Sequence, residues 1–124
     1  MEGITCKCVD SFETALETIE QGMVAMMADP EGEVIAQAKP AAVIDAILAK
    51  RNLGTNRGMA PFTVALGPGF TAGKDVDVVI ETMRGHQLGR LLYRGSAMPN
   101  TGVPGPIAGV AEQRVIHAET DGVL

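Results

Sequence analysis

Residues 50–101 read KRNLGTNRGMAPFTVALGPGFTAGKDVDVVIETMRGHQLGRLLYRGSAMPNT. The apolar run Phe62-Thr63-Val64-Ala65-Leu66 empties into Gly67-Pro68-Gly69-Phe70-Thr71-Ala72-Gly73-Lys74, and a second apolar run leads to Arg84-Gly85-His86. A strand that ends in a glycine-rich bend beside cationic side chains is a common way to hold an anion, because backbone N–H groups and positive charge converge there. Between the two runs the pattern keeps a period of two. Val76, Val78 and Ile80 alternate with Asp77, Val79 and Glu81, which predicts a strand rather than a helix. Residues 88–94 read as its partner across a turn at 84–89.

Upstream, Gly3 to Val9 reads as an edge strand. Asp10-Ser11-Phe12-Glu13 opens a helix, with Asp10 as N-cap and Glu13 three residues on. Phe12, Ala15, Leu16, Ile19 and Met23 follow helical spacing and form the expected inward stripe, and Gly22 marks the end. The continuous apolar run Met23-Val24-Ala25-Met26-Met27-Ala28 fits a strand buried on both faces, as in a parallel sheet. Residues 30–39 have the length of a short helix with Val34 and Ile35 inward. Residues 41–48 fit either another buried strand or a helix with Pro40 at its first position. The strand–helix–strand rhythm favours the strand, so residues 23–48 are expected to form one βαβ unit. Residues 96–109 are a loop, and 113–118 a last strand. A turn at Asp121-Gly122 so near the end suggests a chain cut before its partner strand. The expected class is α/β: a short Rossmann-like parallel sheet with helices, continuing into antiparallel strands. Residues 1–108 form the α/β domain and 109–124 the start of a truncated C-terminal β segment.

The 124 residues suit one small domain or a piece of a larger protein, and can bury roughly two-thirds of their unfolded surface. The core must be aliphatic, because there is no Trp, one Tyr and three Phe. So few aromatics argue against a base-stacking nucleic-acid platform, and the net charge of −5 argues against a polyanion binder. That charge is unevenly placed. Residues 50–94 hold seven basic and three acidic side chains, a local +4, and the remainder carries −9. A cationic patch on an acidic protein suits a small anionic ligand, although random clustering on a solvated surface gives the same count.

No run approaches the roughly 18 apolar residues of a membrane span, and no signal peptide opens the chain, so the expected location is the cytoplasm and no membrane partner is expected. Cys6 and Cys8 lie two apart, on one side of a strand with Lys7 opposite. They read as small buried hydrophobes or a free thiol pair, and with two histidines they give no metal spacing.

Several motifs are excluded. A phosphate loop needs Gly-Lys-Ser/Thr, but Gly73-Lys74 precedes Asp75, and Pro68 stands where its first glycine belongs. Gly67, Gly69 and Gly73 give a spacing one residue too long for the dinucleotide fingerprint. What remains is a backbone nest beside Lys74, against which stands a plain tight turn whose glycines permit positive φ. His86 and His117 lack a carboxylate or cysteine partner in the sequence and read as ordinary hydrogen-bonded histidines. Ser11 and Ser96 lack a nucleophile context. Asp45, alone in an apolar run, must be paired, capped or functional. Lys50 and Arg51 offer an ion pair.

The blocks Lys50-Arg51-Asn52-Leu53-Gly54-Thr55, the 67–74 loop with Asp75, Glu81-Thr82-Met83-Arg84-Gly85-His86, Leu88-Gly89-Arg90 and Asn100-Thr101-Gly102 together resemble the YqeB-type accessory proteins of the selenium-dependent molybdenum hydroxylase system. The likeness runs through almost the whole chain. It implies family members about twice this long, beginning with a dinucleotide-fold strand and ending in a small carrier-like β domain, so that this chain matches a middle portion. It further implies a role in maturing a molybdenum hydroxylase, the partner expected, rather than in hydroxylation itself. The expected ligand is the pterin-type molybdenum cofactor or a nucleotide, held by Lys50, Asn52, Gly67, Gly69, Thr71, Gly73, Lys74, Arg84 and His86. Lys74 and Arg84 would neutralise phosphate, the glycines would donate N–H groups, and Asn52 and His86 would orient polar edges. Two other readings stay open: a docking module that grips the hydroxylase through the apolar loop 97–106, and an enzyme handling selenium or sulfur with Cys6 or Cys8 as its thiol. An unpaired edge strand would also permit a homodimer.

Overall fold

The computed structural model describes residues 2–116, 120 and 122. The chain is a mixed α/β protein of two compact units, residues 1–40 and 41–124, with both parallel and antiparallel strands in open sheets.

In the first unit, β1 (Cys6–Cys8), α1 (Phe12–Glu20) and β2 (Val24–Met26) form a strand–helix–strand unit, with β1 and β2 parallel. The N-cap of α1 is Ser11, not Asp10: its Oγ accepts the Thr14 N–H at 3.2 Å from an extended backbone (φ −141°). A serine one residue nearer the helix has the shorter reach to the orphan amide. The Thr18 hydroxyl returns to the Thr14 carbonyl at 2.7 Å, so this polar residue can be buried beside Ala15. The inward stripe expected from the spacing is corrected accordingly. Ala15 and Thr18 are buried, whereas Leu16 and Ile19 are exposed, because a sheet of two strands is too narrow to cover the whole apolar arc. For the same reason β2 is not buried on both faces. Val24 and Met26 are 51% and 55% exposed. The Cys6 and Cys8 thiols are free and exposed rather than buried.

After β2 the Asp29 carboxylate caps α2 (Glu33–Ala38), accepting the Glu33 and Val34 N–H groups, each at 3.0 Å. Val34 and Ile35 are half-buried, as expected. The expected βαβ unit over 23–48 is a correction. β2 pairs with β1, and β3 (Ala42–Asp45) pairs with β4 (Phe62–Leu66), so the βαβ unit of this chain is β1–α1–β2.

The second unit holds a four-stranded sheet in the order β3–β4–β6–β7, where β6 is Val78–Ile80 and β7 is Leu91–Leu92. β3, β4 and β6 are parallel and β7 is antiparallel. β4 takes the apolar run whole, β6 keeps only residues 78–80 of the alternating run expected over 76–81, with Val76 in an isolated bridge to Ala72, and β7 returns across the expected turn. A small antiparallel pair joins β5 (Thr71–Ala72) to β8 (Gly95–Ser96). The core lies between them: Ala65 and Val79, register partners on one sheet face, pack with Phe70, Ala72, Val76 and Ala97. Residues 112–114 form a 3-10 turn where a strand was expected. The rest of that expected strand beyond residue 116, and Asp121 of the expected terminal turn, lie outside the described residues.

No helix among the described residues is long and apolar enough to cross a membrane.

Candidate functional site

Because β3, β4 and β6 are parallel, their carboxyl ends lie along one edge of the sheet. Ligands of open α/β sheets sit outside such an edge, where the loops diverge. Three loops leave it here: 46–50 after β3, 67–70 after β4 and 81–85 after β6. Two adjoining clefts open among them and the 97–107 segment, with volumes of about 690 and 540 Å³. Both are in the range of small-molecule sites. Lys50, Pro68, Pro99 and Asn100 line both. Arg84 and Arg114 line the larger cleft, and Gly69 and Thr71 the smaller. Among the described residues, the larger lining carries three cations and no carboxylate, on a protein of net charge −5.

A buried carboxylate anchors this edge. Glu81, only 2% exposed, follows β6 directly. Its Oε1 accepts the Met83 N–H and its Oε2 the Met98 N–H, both at 2.8 Å. Burial alone would raise the Glu81 pKa, but the amides of Met98, Met83 and Thr82 outweigh that and hold it below the ordinary glutamate value. The ionised side chain thus pins the two cleft walls, 82–83 and 97–98, to one point. Sequence reading placed Glu81 at the end of an alternating strand and gave it no role. Its signal was the lack of a basic neighbour in that run, which leaves backbone amides as its partners.

The glycines do different work from a simple nest. The Gly67 N–H donates to the Ile80 carbonyl at 2.9 Å, and the Gly73 N–H to the Val76 carbonyl at 2.7 Å, so both donors serve the fold. Gly69 has φ +108°, and a Cβ there would stand 2.5 Å from the Arg51 Cα. Only glycine lets the 67–70 loop pass the 50–52 backbone this closely. Asn52 closes a local turn, its Nδ2 donating to the Thr55 carbonyl and its Oδ1 accepting the Gly54 N–H, each at 2.8 Å.

The structure therefore gathers Lys50, Gly69, Thr71 and Arg84 around the clefts. Asn52, Gly67, Gly73, Lys74 and His86 lie outside both linings. Lys74 sits on the 71–76 turn, where the Asp75 carboxylate accepts the Thr71 N–H at 2.8 Å. Sequence reading missed Arg114, which stands far from the cationic stretch and in no motif. Its Nη1 donates to the Gly105 carbonyl at 2.7 Å, folding the 3-10 turn back to the cleft wall.

Two further expectations change. Asp45, 6% exposed, forms no ion pair with Lys50 or Arg51. It accepts the Thr55 hydroxyl at 2.6 Å and the Ile47 N–H at 3.1 Å, so loop residues of the same connection satisfy it. Arg57, counted within the cationic excess, is taken up by Asp77 at 2.6 Å. The same carboxylate accepts both the amide and the hydroxyl of Thr63 at 2.9 Å. The Thr63 hydrogen bonds hold Asp77 below the ordinary aspartate value; burial opposes them, and Arg57 adds the smaller lowering effects. Thr63 and Asp77 stand at the amino ends of β4 and β6, so this cluster braces the sheet edge away from the clefts. Among the described residues no group of three or more His, Cys, Asp or Glu side chains could hold a metal ion.

No family model matches this chain, and no solved structure matches it. The chain spans 23% of the length of the curated relative that it matches. That protein is thus more than four times as long as this chain, not about twice as the resemblance implied. Across all 124 residues this chain is a relative of "Uncharacterized protein YqeB" of Escherichia coli (strain K12), to which it is 51% identical.

Proposed function

We propose that the clefts at the carboxyl edge of β3, β4 and β6 hold a small anionic cofactor of pterin or nucleotide type, in the service of maturing a selenium-dependent molybdenum hydroxylase. One observation carries the reading: among the described residues, the larger cleft is lined by Lys50, Arg84 and Arg114 and by no acidic side chain. The edge position is that of ligand sites in Rossmann-like sheets, and the three parallel strands favour such a reading of this unit. Arg84 and Lys50 neutralise the anion, Arg as a fork and Lys as a point charge. The half-exposed Met98 and Val103 offer apolar surface to a ring. The test is calorimetric titration with molybdopterin, and with ADP as the nucleotide arm. Binding that weakens with salt, and falls about tenfold or more in Lys50→Ala and Arg84→Ala, supports the site. Heat-silent titrations with both ligands overturn it.

A second reading rests on the same wall. Met98, Val103 and Ile107 are each about half exposed, and a docking module would grip the hydroxylase through them. Pull-down of the hydroxylase by ligand-free protein, abolished by Val103→Asp and indifferent to Arg84→Ala, would favour docking over cofactor binding.

A further inference from the structure

The first unit carries a cluster of sulfur that the cleft reading does not use. β1 and β2 are parallel, with Cys6 opposite Val24 and Cys8 opposite Met26. Alternate residues of a strand share a face, and register partners in adjacent strands share it too. Cys6, Cys8, Val24 and Met26 therefore stand on one face of the pair. That face is open: both thiols are free and exposed, and Met26 is 55% exposed.

Two thiols placed so are poorly suited to each other and well suited to a shared ion. Same-face positions along a strand repeat about every 6.6 Å, whereas the Cβ atoms of a disulfide stand about 3.8 Å apart. A bridge would require β1 to bend out of its pairing with β2. An ion between two sulfurs needs only about 4.6 Å, twice a metal–thiolate bond of about 2.3 Å. Turning both χ1 angles inward supplies that from undistorted backbone. Met26, across from Cys8 at the usual strand spacing of about 4.8 Å, brings a long, flexible thioether to the same point.

The geometry points to a soft-cation site, Cys6–Cys8–Met26, that takes a monovalent thiophilic ion of the Cu(I) class. Two thiolates and a thioether are a soft set that selects Cu(I). Zn²⁺ wants four N, S or O ligands, and no third His, Cys, Asp or Glu joins the pair among the described residues. On binding, two S–H bonds break, two metal–sulfur bonds form and two protons leave to the buffer. No electron moves, because the ion arrives already reduced.

The test is anaerobic titration of the reduced protein against Cu(I) held as its bicinchoninate complex, read by loss of that complex's colour. One equivalent should be withdrawn, with about two protons released per ion by pH-stat. Cys6→Ser and Cys8→Ser should each lose the withdrawal, and Met26→Leu should weaken it about tenfold with an unchanged circular dichroism spectrum. On the unsubstituted protein, one equivalent of Cu(I) should also protect both thiols from iodoacetamide. No withdrawal by the unsubstituted protein, an unchanged affinity in Met26→Leu, or equal uptake of Zn²⁺ from a comparable chelator overturns the assignment.

Discussion

The Glu81 carboxylate, buried at the end of β6, accepts the Met98 amide 17 residues further along the chain at 2.8 Å. With the Met83 amide on its other oxygen, it fixes the distance between two walls of the larger cleft. Replacing it tests whether the cleft is a built feature of the fold. In Glu81→Gln one oxygen becomes an NH2 that faces an amide donor. The loss should be about 1–3 kcal/mol, the cost of leaving a buried donor unsatisfied. Urea denaturation reads it, and any ligand affinity should fall with it.

Acid should act through the same group. Glu81 and Asp77 both lie below their ordinary values in the folded chain, Glu81 through amide hydrogen bonds that outweigh burial and Asp77 mainly through Thr63. A depressed carboxylate contributes its stability in full above the unfolded value of about 4, and loses it as pH falls through the lower folded value. Stability should therefore hold from neutral pH to about pH 5 and decline below about pH 4. Glu81→Gln should flatten that decline, as thermal unfolding across an acid series would show.

Asp77 and Arg57 should not be equal partners. Arg57 is half exposed, and exposed ion pairs stabilise little. Thr63 is fully buried and donates both its amide and its hydroxyl to Asp77. Asp77→Ala should lower the unfolding midpoint clearly more than Arg57→Ala, and only the Arg57 effect should fade in high salt. Equal losses would mean that the ion pair, not the Thr63 bonds, is what the carboxylate supplies.

Gly69→Ala should be among the most damaging single-methyl additions. Its Cβ would meet the Arg51 Cα, N and C atoms at 2.5–2.8 Å, so the 67–70 and 50–52 backbones must part. At Gly95, φ is +79° but nothing lies within 4 Å, leaving a left-handed penalty of about 1–2 kcal/mol. Gly69→Ala should exceed Gly95→Ala in stability loss and, unlike it, weaken anion binding. Paired denaturation and calorimetry of the two variants decide this.

Lys74→Ala separates the structure from the motif. Lys74 lies beside glycines in sequence but outside both clefts. Its removal should leave anion affinity within about twofold, while Lys50→Ala should cost tenfold or more, since a solvated charge that lines neither cleft is screened by water and salt.

The amino-acid sequence by itself determined the elements that depend on neighbours. The run Phe62–Leu66 became β4 without change, and the helix expected from residue 12 formed there, although its cap is Ser11 and not Asp10. The alternation through residue 80 became β6, and the turn after it brought β7 back antiparallel. These rest on periodicity, capping and turn chemistry, which act over a few residues. Tertiary structure decided what depends on distant partners. It paired β2 with β1 and so moved the βαβ unit, gave Asp45 to Thr55, and buried Glu81 under Met98. It also chose Lys50, Arg84 and Arg114 for one cleft and left Lys74 out. Charge and glycine content are read along the chain, but which cations share a space is set by strand order and register. Those follow from packing between residues far apart in sequence, where a linear pattern carries no distance.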